Sequence, residues 1–510
     1  MKDGELPTIT NLIKGGCSAK LVSSIPPVTL PAWKCYSTGK NPGRIGVYWF
    51  INVDTECRRI EINNSTSIKS REIWDYLNQQ GIVCGIVGMP GMYPPKKIKG
   101  FIVCEDAPSL SNFTYPKELG RVLRRKIRFK LGSEFAPKVD TDKYIEQVKE
   151  LIKQRFETAA LLYRRFGSSF MHLTIFHIDT IQHFFWKEME EADPDYEDVI
   201  KEIWILVDRE IGKLLDAITN EETYVIIMSD HGFTAAKSTF QLAKWLMDEE
   251  YLVLKGKGLR GFSSKLPING DNVLAVVQKS KLSALLRHFI RRDLRSKIFA
   301  RLFPSGEDTV EKNPLEGLID WEKSKAIPLP QGLIYINKSV LASREGARRL
   351  RDKLIAEIGR IRNPKNGERL AKRVYCAREL YSGEHFEKAP DIIVMPNEGY
   401  EIACSAIAKK LWNEPKKWTG VHKREGILIV KGPGVNKGTK IDDVSIFDLA
   451  PTILQMFGIP IPDGMDGRLL TKVFHEQPAI AGQKGEYMET QERERIKDKI
   501  RTLKRLGKIS

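Results

Sequence analysis

The sequence predicts an α/β protein built on a doubly wound, mostly parallel sheet. Short runs rich in Val and Ile alternate with longer stretches of helical period, as is typical of a sheet covered by helices on both faces. The runs span residues 47–53, 81–89, 170–178, 223–228, 391–395 and 426–430. Several of them end in Asp, His, Gly or Pro. Ligands bind at the carboxyl ends of strands in such sheets, so these polar residues are the best site candidates.

A chain of 510 residues exceeds what one hydrophobic core usually serves. We predict a first core part at 1–233, which carries a small irregular insertion at about 94–141. An inserted cap domain at 234–320 follows, where the pattern loosens into Lys/Gly-rich loops. The second core part spans 321–475, and a charged helical tail spans 476–510.

The formal net charge of +17 favours anionic partners, either phosphorylated small molecules, nucleic acid or acidic lipid headgroups. No specific nucleic-acid motif is present, and a weak association with an acidic membrane surface stays open. Much of the excess charge lies in 281–301 and 493–508, which are also typical of solvated helix faces. The oligomeric state is not predicted.

The seven scattered cysteines form no Cys-x-x-Cys pair and favour a reducing compartment. No apolar run reaches the roughly 18 residues of a membrane span, and residues 1–20 lack the apolar core of a signal peptide. We therefore expect a cytoplasmic protein, unless a native N-terminus upstream of Met1 changes that expectation.

The strongest local motif is Met228-Ser229-Asp230-His231-Gly232, at the end of an apolar run. A strand that delivers a carboxylate and an imidazole onto a glycine turn suits a divalent metal ion. The alternative is an ordinary exit from a strand into a turn.

A second motif follows the run at 170–178. If a helical turn opens at Asp179, the spacing of four residues places Asp179 and His183 on one face, where they could bind one ion. His172 and His177 are expected within the preceding strand, as packed or surface residues and not as ligands.

His422, just before the run at 426–430, is by itself most simply a structural histidine. It becomes a candidate metal ligand because the other two motifs leave a tetrahedral site one ligand short.

Thr29 stands among prolines in Pro26-Pro27-Val28-Thr29-Leu30-Pro31. The prolines predict an irregular loop, and the segment at 37–39 is expected to start a helix whose N-terminal amides attract phosphate. A threonine hydroxyl is a poor nucleophile unless metal ions stabilise its alkoxide, so Thr29 matters only if two metals lie nearby.

Taken in chain order, these four motifs resemble the alkaline phosphatase superfamily, and within it the type I phosphodiesterase / nucleotide pyrophosphatase branch. The resemblance extends from Leu6 to about Leu470. Further matching segments are 73–77, 92–95, 389–391, 447–454, 458–460 and 465–467.

The resemblance implies that Thr29 is the nucleophile. Asp179, His183 and His422 would hold one metal ion, and Asp230 and His231 would hold a second one together with the Thr29 oxygen. Zinc is favoured by the Asp/His ligand set, while manganese and iron stay open.

Two departures from the family pattern stand out. The first strand of the family, which ends in an Asp-Gly metal ligand, is apparently missing, because the Gly-x-Leu-Pro segment stands at Gly4-Glu5-Leu6-Pro7. Asp3 has no strand before it, so we do not count it as a ligand, and the start at Met1 is expected to be too late. Phe50 occupies the region where the family has an Asn near the phosphoryl group, which weakens the expectation of nucleotide phosphodiesterase activity.

The function predicted from the sequence is a two-metal hydrolase that cleaves a phosphate monoester or diester through a phosphothreonine intermediate. Its expected substrate is an anionic phosphorylated small molecule. A sulfatase is disfavoured because Cys35-Tyr36-Ser37-Thr38-Gly39 lacks the Pro and Arg of that enzyme class. The alternative is a catalytically impaired phosphate- or anion-binding pseudoenzyme, because the first metal-ligand Asp is absent.

Overall fold

The computed structural model of the protein describes residues 4–255, 317–405, 408–415 and 418–475. Asp3, most of the predicted cap and the whole predicted tail lie outside these residues.

The helices are α1 (Pro7–Lys14), α2 (Thr29–Thr38), α3 (Pro42–Ile45), α4 (Ile73–Gln79), α5 (Leu119–Lys126), α6 (Thr141–Phe166), α7 (His177–Glu190), α8 (Val199–Ile218), α9 (Leu242–Asp248), α10 (Arg344–Arg360) and α11 (Leu449–Met456). The strands are β1 (Cys17–Val22), β2 (Ile51–Asp54), β3 (Arg59–Ile62), β4 (Cys84–Val87), β5 (Gly100–Val103), β6 (Thr114–Tyr115), β7 (Phe170–Leu173), β8 (Val225–Met228), β9 (Gly232–Ala235), β10 (Ser238–Gln241), β11 (Ala326–Leu329), β12 (Leu333–Ile336), β13 (Ala371–Cys376), β14 (Ile392–Pro396), β15 (Tyr400–Ala403), β16 (Trp412–Asn413), β17 (Gly420–Lys423), β18 (Glu425–Lys431), β19 (Thr439–Lys440) and β20 (Val444–Ser445).

Two sheets carry the part of the fold that holds the candidate site. In the first, the strand order is β19-β1-β18-β8, with β20 also paired to β1. In the second, the order is β6-β5-β4-β7, and β4 runs parallel to both β5 and β7. One hydrophobic core joins the two sheets, because residues of β1, β4, β5 and β18 belong to the same buried cluster.

A separate antiparallel sheet, β11-β12-β14-β13, packs against α10 around its own core. The smaller groups are β15-β10-β16, the hairpin β2-β3 and the pair β9-β17.

The α/β class is confirmed, and the two sheets near the site are mixed: β4 is parallel to β5 and β7, and β1 is parallel to β19 and β20, but two of the predicted runs form antiparallel strands. The run at 426–430 forms β18, which is antiparallel to both β1 and β8. The run at 391–395 forms β14, which lies in the separate antiparallel sheet. An apolar run reports burial on both faces of a strand but does not report strand direction, so the runs themselves were informative while their assignment to one parallel sheet was not.

Many strands have no counterpart among the predicted runs, and β1 and the strands of the small insertion are examples. β1 alternates, with Cys17, Ala19 and Leu21 turned inward, so it contains no continuous apolar run. The insertion predicted to be irregular contains β5, α5 and β6.

Among the described residues, no helix combines the length and the hydropathy that a membrane span requires.

Candidate metal centre and active site

The pair His183 and His422 defines the centre of the candidate site. His183 Nδ1 lies 2.8 Å from the carbonyl oxygen of Gly420, and His422 Nδ1 lies 2.9 Å from that of Pro27. A carbonyl oxygen only accepts hydrogen bonds, so both Nδ1 atoms carry the proton and both Nε2 atoms present a lone pair. These two Nε2 atoms are 3.0 Å apart. Two neutral rings in this tautomer would repel each other at this distance, and a proton or a metal ion shared by the two nitrogens would remove that repulsion.

The predicted helical pair is confirmed, since Asp179 and His183 both lie in the first half of α7. Asp179 stands at the centre of the imidazoles. Its carboxylate oxygens lie 3.6 Å from His183 Nε2, 3.5 Å from His422 Nε2 and 3.7 Å from His231 Nε2. His231 Nε2 and Asp179 Oδ1 are buried and have no hydrogen-bond partner among the described residues.

This donor set fits a metal ion. Asp179, His231 and His422 each offer a ligand atom, and these atoms lie within 4.8 Å of one another. Histidines that ligate a metal usually donate the other ring N–H to a backbone carbonyl or carboxylate, as His183 and His422 do here. A bound cation would give His231 Nε2 and Asp179 Oδ1 a partner. A buried polar atom without a partner lowers the stability of the folded protein.

Asp230 stands beside this group, with its carboxylate 3.4 Å from His231 Nε2. Burial, together with the charge of Asp179, raises the pKa of Asp230 to about 7. Burial lowers the pKa of His183 to about 4, so its ring is neutral at physiological pH.

Aromatic side chains enclose the histidines. Trp418 stacks on His183 with ring centroids 4.4 Å apart, and the ring of His231 stacks on that of His422 at 3.6 Å. Phe233 meets His183 edge to face at 4.8 Å. The apolar rings lower the local dielectric and so strengthen electrostatic interactions at the centre.

Thr29 is buried and lines the same cavity as Asp179, Asp230 and His231. It is the first residue of α2, after Val28 in an extended conformation. The N–H groups in the first turn of a helix have no intrahelical partner and attract anions. The expectation that a helix starts at residues 37–39 is wrong. α2 begins at Thr29 and ends at Thr38, and Gly39 forms its C-cap in the left-handed conformation.

A buried ion pair holds α2 in place behind Thr29. Lys34 Nζ lies 3.0 Å from Glu72 Oε1, and Lys96 Nζ lies 2.8 Å from Glu72 Oε2. The side chains of Lys34 and Glu72 are 0% and 5% exposed. Burial would raise the pKa of Glu72, but Lys34 and Lys96 outweigh it and hold it at about 2.

The structure thus brings together Asp179, His183, Asp230, His231 and His422, with Thr29 on the wall of the same cavity. Their roles in binding metal and in catalysis stay predictions. Trp418, the carbonyl groups of Gly420 and Pro27, and the Lys34–Glu72 pair were not found from the sequence, because no motif marks a carbonyl or a packing aromatic residue.

The remaining polar and aromatic candidates make other contacts. His172 lies in β7, as expected, and contacts the Tyr36 hydroxyl at 3.2 Å. His177 was expected in that strand, but it is the buried first residue of α7, because the strand ends at Leu173. Phe50 packs on Trp49 and does not line the cavity.

The fold and the site together define an α/β protein with a buried, histidine-rich cluster whose donor atoms suit a cation. The chain belongs to the type I phosphodiesterase / nucleotide pyrophosphatase family, whose model matches residues 1–422. The resemblance inferred from the sequence is thereby confirmed.

Similar solved structures share little sequence identity with this chain. Human ectonucleotide pyrophosphatase / phosphodiesterase 5 is 14% identical, with a TM-score of 0.48, over 92% of this chain and 95% of that one. The murine protein is 14% identical, with a TM-score of 0.49 and the same coverage. An inactive variant of the murine protein in complex with AMP is 14% identical, with a TM-score of 0.46, over 89% of this chain and 91% of that one. No curated protein matches the chain.

Proposed function

We propose that this protein is a metal-dependent hydrolase of phosphoric esters with Thr29 as its nucleophile. The observation that carries the proposal is the convergence of the Nε2 atoms of His183, His231 and His422 on the Asp179 carboxylate. Membership of the phosphodiesterase family supports the reaction class.

The residues that would hold divalent ions are Asp179, His183, Asp230, His231 and His422, with the Thr29 oxygen. Asp179, His231 and His422 form the compact three-ligand group. Asp179, His183 and His422 would hold one ion, and Asp230 and His231 would hold the second one together with the Thr29 oxygen. Nitrogen and carboxylate ligands favour zinc, with manganese and iron as alternatives. When bound, such ions supply charge that stabilises an alkoxide and a departing oxygen.

The chain's own residues position the reacting groups. The Thr29 oxygen forms a bond to phosphorus while the bond from phosphorus to the leaving oxygen breaks, so the phosphoryl group becomes an ester of Thr29. The N–H groups at the start of α2 face the anionic phosphoryl oxygens. Pro27 helps to fix the Thr29 loop through its carbonyl contact with His422. Water then hydrolyses the phosphothreonine.

The proposed substrate is an anionic phosphorylated small molecule, either a monoester or a diester, in keeping with the net charge of +17. A phosphate-binding protein without turnover is the second candidate. It is favoured by one observation, that the described residues contain a single group of three metal ligands.

Hydrolysis of bis(4-nitrophenyl) phosphate and of 4-nitrophenyl phosphate tests the proposal. The full chain is stripped with a chelator, supplied again with Zn²⁺ or Mn²⁺, and compared with Thr29→Ala and His231→Ala. His475→Ala is the matched control, because His475 is exposed and stands outside the site. We expect metal-dependent turnover that both site variants abolish and the control retains.

Two results would count against this function. Turnover that survives in Thr29→Ala would exclude Thr29 as the nucleophile. Binding of inorganic phosphate by calorimetry, with no turnover under any metal, would support the binding protein instead.

A further inference from the structure

One short surface helix carries several basic side chains and no acidic one. The helix α5 has the sequence LGRVLRRK, so half of its residues are Lys or Arg. Leu119 and Leu123 hold it on the protein, because they are 1% and 0% exposed and belong to the core that joins the two sheets. The basic residues of α5, all of them exposed, are Arg121, Arg124, Arg125 and Lys126.

The segments on either side of α5 extend this positive charge. Lys117 precedes the helix, and Arg128 and Lys130 follow it. Residues 117–130 thus contain seven basic residues and one acidic residue, Glu118. The longer helix α10 is more balanced, with six basic residues and three acidic ones. We call the surface formed by residues 117–130 the α5 surface.

Most charges of the α5 surface have no counter-ion in the described part of the chain. Lys130 Nζ lies 3.9 Å from a carboxylate oxygen of Glu150, and Arg124 donates a hydrogen bond to the carbonyl oxygen of Leu110. The basic residues that form no ion pair with a described acidic side chain are Lys117, Arg121, Arg125, Lys126 and Arg128.

The electrostatics of the helix itself explains only part of this pattern. Cations are favourable in the last turn of a helix, which holds Arg124, Arg125 and Lys126. A cation in the first turn is unfavourable, yet Arg121 is the third residue of α5 and Lys117 stands just before the helix. These two charges do not stabilise α5, so they favour a partner outside the helix.

The aromatic content of the α5 surface argues against a nucleic acid as this partner. The one aromatic residue of the segment is Phe129, which is 2% exposed and stacks on Phe113 with ring centroids 5.2 Å apart. Residues 117–130 also contain no Asn or Gln. The segment therefore offers no ring to stack on a base and no side-chain amide to read one.

An aliphatic side chain lies among the charges. Val122 is partly buried, and it stands three and four residues before Arg125 and Lys126, which makes it their neighbour on the helix surface. Nucleic-acid phosphates gain nothing from such a side chain. An acidic bilayer suits both kinds of residue, because its headgroups attract the cations and its interface accepts aliphatic groups.

We propose that the α5 surface docks the protein on bilayers that contain acidic phospholipids. The attraction between an acidic bilayer and a basic cluster grows with each Lys or Arg near the membrane, and clusters of about four to eight suffice. The apolar side of α5 stays in the protein core, so the contact is electrostatic and reversible. It does not depend on the hydrolase function proposed above.

Cosedimentation of the full chain with vesicles tests this docking. Vesicles of phosphatidylcholine are compared with vesicles in which phosphatidylglycerol replaces about a third of the lipid, which gives them a negative surface potential. In about 0.1 M NaCl we expect binding to the acidic vesicles only. In about 0.5 M NaCl the protein should be released, because salt screens charges at an exposed surface.

Two double variants with equal loss of charge locate the contact. Arg121→Gln/Arg125→Gln removes two exposed charges that lie one turn apart on α5, and it should weaken binding to the acidic vesicles by about tenfold or more. The matched control, Arg349→Gln/Arg360→Gln, removes two exposed charges of α10 and should bind as the parent does. Since all four arginines are exposed, both variants should keep the circular dichroism spectrum of the parent.

Four results would overturn the proposal. Acidic vesicles that do not bind the parent at low salt would remove it. Equal losses in the two double variants would show that overall charge drives the binding, and an α5 variant that binds as tightly as the parent would place the contact elsewhere. Binding of a DNA duplex of about 20 base pairs by the parent but not by the α5 variant, with acidic vesicles unbound, would assign the surface to a nucleic acid.

Discussion

Replacing Glu72 with glutamine should destabilise the protein through a single buried group. Glu72 is 5% exposed and contacts Lys34 and Lys96. These contacts hold its pKa at about 2 instead of 4.5, which is worth about 3 kcal/mol of unfolding free energy at neutral pH. Removing one partner of a buried pair typically costs about 3–5 kcal/mol, which agrees with this figure.

The sign of the pH dependence follows from the lowered pKa. The contribution of Glu72 is fully present above the ordinary pKa of a glutamate, and it is lost as the pH falls from about 5 to about 2. The difference in stability between the parent and Glu72→Gln should therefore be largest at pH 7 and should shrink below about pH 4.

Urea unfolding at pH 7 and pH 3, followed by far-UV circular dichroism, measures this difference. Glu61→Gln is the matched control, because Glu61 pairs with Arg59 at the surface, with side chains 35% and 48% exposed. Such pairs contribute about 0–1 kcal/mol. A loss in Glu72→Gln no larger than that in Glu61→Gln, or a difference that does not change with pH, would refute the reasoning.

Three further predictions follow from the site and from α1. Thr29→Ala should abolish trapping of a phosphoenzyme, checked by mass spectrometry after acid quench, while leaving the fold intact; a phosphoenzyme trapped in the variant would show that another residue is the nucleophile. His231→Ala should lower the bound metal, measured by elemental analysis, more than Thr29→Ala does, because Thr29 would contribute one oxygen only; equal losses would contradict this. Asp208→Asn should destabilise the protein by about 1–3 kcal/mol, because two N–H groups of α1 lose a charged acceptor, whereas Asp216→Asn at an exposed position of α8 should change little in the same urea titration.

The sequence predicted the site residues best where a strand and the polar residues that follow it lie in one short segment. The runs before Asp179 and Asp230 identified these residues and the paired His183 and His231, because strand and ligand are neighbours in the chain. The sequence was least informative about strand direction. β18 reads as a buried strand whether it runs parallel or antiparallel, since burial on both faces gives the same apolar run.

Contacts between distant segments could not be predicted for a related reason. The carbonyl of Pro27 sets the tautomer of His422, which lies 395 positions away in the chain. Every residue has a backbone carbonyl, so the sequence does not indicate which one contacts a histidine. The Lys34–Glu72 pair could not be predicted either, because the sequence contains many charged residues and only the fold determines which of them are buried together.

Anomalous X-ray scattering from crystals of the full chain grown with Zn²⁺ tests the central claim most directly. We expect one anomalous peak at His231 and Asp230, and another about 2.0–2.2 Å from the Nε2 atoms of His183 and His422 and close to an Asp179 oxygen, as expected for zinc with nitrogen and carboxylate ligands. Asp179→Asn should weaken or remove the second peak. Crystals with zinc bound elsewhere, and with His183 Nε2 still facing His422 Nε2 without a cation between or beside them, would contradict the account.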